Sequence, residues 1–291
     1  MKLSLIINTH DQPIALGKVL RGVNYQTRWP DEVVIADDGS EEPTRRLIEE
    51  WRAEAKAPVQ HVWHPHRGFR RTVILNKATN ASQSDYVVFL DGDCVPHRDF
   101  IGDHLHLAEK GFWVQGRRCF VKEPFVPDFE AEKTPIWRWL LTGRISGLFK
   151  GIRLPFPLVR RGTQQRGIIG CNMAFWRDDL VAVNGFDETF TGWGGEDSDL
   201  GSRLYHLGRP RKFVHGHAIL FHLNHPAVSR DRASDNFARL AETLRSRKIR
   251  CEQGLAQHLE SISENGALRT TRPASATVGN ARRAADGPQH A

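Results

Sequence analysis

Strand-like and helix-like stretches take turns along the first 120 residues. This alternation narrows the fold more than any other feature of the chain. KLSLIINT (2–9), EVVIADDGS (32–40), VQHVWH (59–64), DYVVFLDGD (85–93) and FWVQGRRCFV (112–121) are apolar runs of strand character. Between the first two, PIALGKVLRGVNYQ (13–26) sets Ile14, Leu16, Val19, Leu20 and Val23 at helical spacing. TRRLIEEWRAEA (44–55), TVILNKATNAS (72–82) and FIGDHLHLAEKG (100–111) read as further helices, the last stopped by Gly111. Strand and helix in turn mean βαβ units, so the expected class is α/β, with a mostly parallel sheet covered on both faces.

Residues 124–166 interrupt the pattern with Pro, aromatic and Arg residues. GIIGCNMAFWRDDLVAVNGF (167–186) then returns to strand followed by helix, SDLGSRLYHLGRP (198–210) is helical, and HAILFHLNHP (217–226) is a late strand. Residues 234–262 suit one or two amphipathic helices, and the segment from 263 lacks apolar periodicity and is expected to be disordered. The four cysteines form no C-x-x-C pair, so neither a zinc knuckle nor a disulfide framework is indicated. MKLSLIINTH is too short an apolar run for a signal peptide, and no stretch approaches the roughly 20 apolar residues of a membrane span. With reduced thiols, this sets the expectation of a cytosolic protein. The formal charge of +7 favours polyanions: nucleic acid, nucleotide phosphates or an anionic membrane.

In an open parallel sheet, ligands sit outside the carboxyl ends of the strands. Two acidic turns fall there: Asp37 and Asp38 after the second strand, and Asp91, Gly92 and Asp93 after YVVFL. Residues two apart in extended backbone face one side, so Asp91 and Asp93 are expected to share a crevice, with Gly92 leaving room. Turn chemistry alone would explain an isolated Asp-Gly-Asp. Its place behind so apolar a strand points instead to Mg2+ or Mn2+ bound with substrate phosphates. No Gly-rich dinucleotide or P-loop motif is present. Basic residues such as Arg67, Arg70 and Arg71 in HRGFRR are the candidates for neutralising phosphate, although such runs are commonly just solvated.

Taken together, LSLIINTHDQPIALGKVLRGVNYQT, ADDGS, YVVFLDGDCVPHRDFI and GCNMAFWRDDLVAVNGFDETFTGWGGEDSDLGSRL resemble the family 2 glycosyltransferases of the GT-A fold. The later part is also similar to β-1,4-galactosyltransferases, polypeptide GalNAc-transferases and bacterial chondroitin polymerase. The resemblance spans roughly residues 3–226. It implies a GT-A catalytic domain over 1–226: a nucleotide-binding half (1–122), an inserted loop (123–166) and an acceptor-binding, catalytic half (167–226). A helical extension (227–262) and a tail (263–291) follow.

The resemblance also implies roles. Thr9 opens the loop over the nucleotide; Asp38, with Asp37, meets uracil and ribose; Arg70 or Arg71 holds the nucleotide or its diphosphate. Asp93 binds the metal, Asp91 contacts ribose or metal-bound water, and His222 completes the metal site with His225 as its competitor. In GWGGEDSDL, Asp197 matches the catalytic base, Glu196 contacts acceptor or donor sugar, and Trp193 is a sugar-stacking platform. The same acids also suit a helix N-terminus, and a base there is held ionised by the helix dipole. The implied reaction is an inverting, Mn2+- or Mg2+-dependent transfer from a UDP-sugar to a hydroxyl of a glycan or lipid-linked glycan acceptor, forming a β-linkage.

Weaker signals remain. One of His215, His217, His222 and His225 is expected to bind metal, and His61, His64 and His66 to stay outside the chemistry. Asn172 and Trp176 line the acceptor side or pack in the core, and Met173 is expected in the core. PIWRWLLTGRISGLFKGIRLPFPLVRR (135–161) is basic, aromatic and free of acids. It either covers the sheet or lies on an anionic membrane. A nucleotidyltransferase is the alternative enzyme. A nucleic-acid-binding role ranks low because no recognisable module frames the basic residues.

Overall fold

The computed structural model describes residues 1–225 and 229–259; the tail expected to be disordered, 263–291, lies outside the described residues. The chain opens with β1 (Leu3–Thr9), α1 (Pro13–Asn24), β2 (Glu32–Asp37), α2 (Glu42–Arg52), β3 (Val59–Trp63), α3 (Arg71–Ala81), β4 (Tyr86–Asp91), β5 (Cys94–Pro96) and α4 (Phe100–Leu107). It continues through β6 (Trp113–Gln115), β7 (Arg117–Val121), α5 (Ile136–Leu141), β8 (Ile145–Ser146), α6 (Leu148–Gly151) and β9 (Leu158–Gly162). The last elements are β10 (Asn172–Trp176), α7 (Arg177–Val183), α8 (Glu196–His206), β11 (Arg211–His215), β12 (Ile219–Leu223), α9 (Ala233–Ser246) and α10 (Ala256–Leu259).

Eight strands form the central sheet in the order β3-β2-β1-β4-β10-β6-β11-β9. The run from β3 to β4 is parallel, as is β6 with β11, while β10 is antiparallel to both its neighbours and β9 to β11. A four-stranded sheet, β5-β12-β7-β8, stands beside it.

The apolar runs are continuous because both faces of the central sheet are covered. Leu5, Ile7, Val33, Ile35, Val88 and Leu90 pack towards Leu16, Val19, Leu20 and Ile48 of α1 and α2. The alternate residues Ile6, Val34, Val87 and Phe89 pack towards Ile74 and Leu75 of α3 and Leu200 and Leu204 of α8. Pro13 starts α1, where its missing N–H costs nothing.

Several elements differ from the sequence reading: β5 and, within 124–166, α5, β8, α6 and β9 were not expected. The single strand expected over 112–121 is two strands in different sheets, parted at Gly116. A Cβ there would lie 2.4 Å from the Ala218 carbonyl oxygen and from the Asn172 amide, so only glycine lets the chain cross. Residues 211–215, not read as a strand, form β11. Register then sets up the site. Thr9 pairs with Asp37 and Asn8 with Asp91, which brings the ends of β1, β2 and β4 to one edge.

Candidate active site

Behind β4 the chain turns sharply. The Gly92 amide donates to the Asn8 carbonyl at 2.8 Å, and a Cβ at Gly92 would meet that same oxygen at 2.8 Å. Asp91 and Asp93 therefore stand either side of a residue that only glycine fills. β12 runs antiparallel to β5 and pairs His222 with Cys94, next to Asp93. Asp93 Oδ2 lies 2.9 Å from His225 Nε2 and 3.4 Å from His222 Nε2. Burial favours the neutral acid, but the His225 hydrogen bond and the charge of His222 keep the Asp93 pKa below its usual value. Burial in turn lowers the His222 pKa, against the opposing pull of Asp93.

The ligand atoms of Asp93, His222 and His225 lie within 4.8 Å of one another. One carboxylate oxygen with two imidazole nitrogens fits a divalent ion of the Mn2+ kind. The sequence reading set His222 against His225; the structure brings both to the same carboxylate.

The WGGED segment reaches the same place. Gly194 and Gly195 adopt φ of +107° and +90°, which glycine tolerates, and swing the chain into α8. Glu196 and Asp197 occupy its first turn, so the acids form a helix start and also face the Asp-Gly-Asp turn. Arg71, the first residue of α3, joins the two clusters. Its Nη2 donates to Asp91 Oδ1 at 3.0 Å and its Nη1 to Asp197 Oδ1 at 2.9 Å, with Glu196 Oε1 at 3.6 Å. Burial opposes the guanidinium charge, but Asp197, Asp91 and Glu196 outweigh it and hold the Arg71 pKa well above normal. Burial raises Asp91 against the pull of Arg71, with Asp93 and Asp197 adding to the rise. Burial and Asp197 push Glu196 up to about 7. Gly170 backs the group: a Cβ there would sit 2.1 Å from Asp197 Oδ2.

At the far side of the edge, Asp37 is fully buried. It accepts from the Ser40 amide at 2.7 Å and meets His61 Nε2 at 2.9 Å. Asp38 meets His64 Nε2 at 2.6 Å and accepts from the Arg70 amide at 2.8 Å. His61 and His64, expected to be bystanders, thus fix both aspartates. Arg70 turns its guanidinium to the Pro65 carbonyl at 2.6 Å, so of the two arginines Arg71 is the one among the acids. The buried Thr9 hydroxyl has no hydrogen-bond partner. It lies 3.2 Å from where a Cβ on Gly92 would stand, a buried polar group left unsatisfied beside the Asp-Gly-Asp turn.

Trp193 is partly exposed, with Phe237 edge-on at 6.4 Å and the Arg230 guanidinium 4.7 Å over its ring. Asn172, Met173 and Trp176 are buried. Asn172 spends its amide on the Arg117 and Ala218 carbonyls, and the Trp176 indole donates to the Glu109 carbonyl. All three pack in the core, as expected for Met173.

Comparison with known proteins agrees with this layout. A family described as Glycosyl transferase family 2 matches residues 4–180, and one described as the N-terminal domain of galactosyltransferase matches 155–226. Chondroitin synthase of Escherichia coli is 27% identical over 77% of this chain and 35% of its own. Validoxylamine A glucosyltransferase of Streptomyces hygroscopicus subsp. limoneus is 28% identical over 72% of this chain and 49% of its own. The chain therefore spans about a third to a half of these relatives. Among solved structures, S. aureus TarS 1–349 in complex with UDP-GlcNAc superposes with a TM-score of 0.61 at 13% identity, over 89% of this chain and 69% of that one. The mannosyltransferase PcManGT from Pyrobaculum calidifontis, in complex with GDP-Man and Mn2+, gives 0.51 at 18% identity, over 91% and 65%. The fold is thus GT-A, and with its family match covering more than half of the sequence, the chain belongs to glycosyl transferase family 2.

Proposed function

We propose that the protein is an inverting, metal-dependent glycosyltransferase. It moves a sugar from a UDP-sugar to a hydroxyl of a glycan or lipid-linked glycan acceptor and leaves a β-linkage. The observation that carries this reading is Arg71, which ties Asp91 of the donor-side turn to Asp197 of the WGGED helix within 3.0 Å of each. Two acidic groups far apart in sequence thereby flank one space, the arrangement a single displacement requires. UDP-GlcNAc in the TarS complex supports a UDP-sugar donor, and GDP-Man in the PcManGT complex supports a nucleotide sugar more broadly.

Thr9 and Asp38 are the donor's nucleotide contacts in this reading, with Asp37 and His64 positioning them. Asp93 with His222 and His225 would hold Mn2+ or Mg2+, which when bound offsets charge developing on the diphosphate leaving group. Asp197 takes the proton of the acceptor hydroxyl as that oxygen attacks the anomeric carbon from the face opposite the diphosphate. Its place in the first turn of α8 sets it at the positive end of the helix dipole. Glu196, desolvated beside it, and Trp193 shape the sugar pocket. Residues 1–122 are assigned to donor binding, 123–166 to the insertion and 167–226 to acceptor and base. The buried thiols and the nucleotide donor suit the cytoplasm, at the inner face of the membrane.

Replacing Asp197 by Asn keeps the shape and removes the base. Transfer is expected to fall by at least roughly a hundredfold, with UDP affinity by calorimetry little changed. Equal transfer by the two proteins would remove the assigned role. A screen of UDP-sugar hydrolysis with Mn2+ and with Mg2+ identifies the donor without an acceptor.

A further inference from the structure

The insertion around 135–161 has two faces. The inner face does what a covering loop should: Trp139, Leu140 and Ile145 are buried. Trp139 packs on Phe125 and Phe129 with ring centroids 6.0 and 5.8 Å apart. Covering the small sheet accounts for these residues and for none on the other face. There, Phe149 is 86% exposed, Trp137 69%, Leu141 68% and Leu158 51%.

These exposed groups adjoin. Trp137 and Leu141 sit one turn apart on α5, which packs on α6, the carrier of Phe149. Just after α6, the Leu154 amide donates to the Gly216 carbonyl at 3.1 Å, next to His215, which pairs in register with Leu158 of β9. Interleaved with them are exposed Arg138, Lys150 and Arg160, for which no ion pair occurs among the described residues, and 135–161 holds no acid. Aliphatic and aromatic groups ringed by uncommitted cations match the boundary between anionic headgroups and acyl chains. A second copy is a poor occupant, because its own Arg138, Lys150 and Arg160 would oppose these. Edge strand β9, with Arg160 exposed and Arg161 paired to Glu109, is likewise guarded against sheet-to-sheet pairing.

We propose that this face, centred on Trp137, Leu141, Phe149 and Leu158, docks the enzyme on an anionic phospholipid surface. The inference extends the functional reading to the surface where the acceptor is met. It rests on that reading only for the acceptor's whereabouts, and vesicle binding is read without donor or acceptor, so the two stand or fall separately.

The test is flotation of the full chain with phosphatidylcholine vesicles, with and without phosphatidylglycerol. The wild type is expected to float only with phosphatidylglycerol and to be released by high salt. The variant carrying Trp137→Asp and Phe149→Asp is expected to bind more than tenfold more weakly. Arg138→Glu combined with Lys150→Glu and Arg160→Glu should lose more than roughly tenfold, as expected for three membrane-facing charges. All are surface changes, so melting curves and UDP-sugar hydrolysis are expected to stay at wild-type levels. Wild-type flotation independent of phosphatidylglycerol, or variants floating like the wild type, would overturn the proposal. So would a dimer that the aspartate variant splits, or single-stranded RNA binding in place of vesicle binding.

Discussion

Gly170 shows how far single residues constrain this site. An added methyl would lie 2.1 and 2.3 Å from the two Asp197 carboxylate oxygens, so Gly170→Ala must push that group off Arg71. An error of about 1 Å in a reacting group costs on the order of a hundredfold in rate. We therefore expect kcat to fall roughly that far, with UDP affinity and melting temperature nearly unchanged. An unchanged kcat in steady-state assays would show that Asp197 has no fixed post. Nothing in IIGCN marks this glycine, because its partner stands 27 residues on and belongs to another element. The acids were legible: Asp91 and Asp93 end a strongly apolar strand, and Asp197 follows a glycine hinge. Their holders were not. His64 meets Asp38 across 26 residues, and no periodicity records such a pairing. Arg70 and Arg71 looked equivalent in sequence. Only the start of α3 separates them, leaving Arg70 at the cap and turning Arg71 into the acids.

Among the elements, α8 carries the most weight, since it presents Glu196 and Asp197. It is fastened by a fully buried ion pair one turn on, with Arg203 Nη2 2.7 Å from Asp199 Oδ2. Arg203 Nη1 also donates to the Val183 and Gly185 carbonyls, and Thr243 of α9 donates to Asp199 at 2.7 Å. Asp199→Ala would strand a buried guanidinium. Removing one partner of such a pair typically costs about 3–5 kcal/mol, which urea unfolding should register. A loss under about 1 kcal/mol would mean that water reaches Arg203. The framework of β1 to β4 and α1 to α4 was readable because strands covered on both faces are apolar without gaps. The break at Gly116 was hidden inside one such run. β11 was hidden for the opposite reason: it opens with Arg211 and Lys212, both buried. Arg211 reaches the Gln164 and Arg166 carbonyls and Lys212 the Leu107 carbonyl, partners visible only in three dimensions.

Across the whole molecule, a chain with a formal charge of +7 gathers Asp91, Glu196 and Asp197 around one buried arginine, with Asp93 close to Asp91. That centre repels a diphosphate, however basic the outer surface. A divalent cation on Asp93 would offset most of that negative charge, so nucleotide and metal should each strengthen the other's binding by the same factor. Ligand that binds only the folded state stabilises it by about 2.7 kcal/mol at a hundred times its Kd. For a chain of 291 residues, that is a rise in Tm of roughly 4–5 °C. UDP with Mn2+ should therefore raise Tm well beyond the sum of UDP alone and Mn2+ alone, and a chelator should return it to the free value. Asp93→Asn removes the anion that His222 and His225 surround. It should abolish the joint shift while leaving the Tm of the free protein near that of the wild type. If UDP alone gave the full shift, the carboxylates would not be setting the charge of the site, and the nucleotide would be held by basic side chains without a cation.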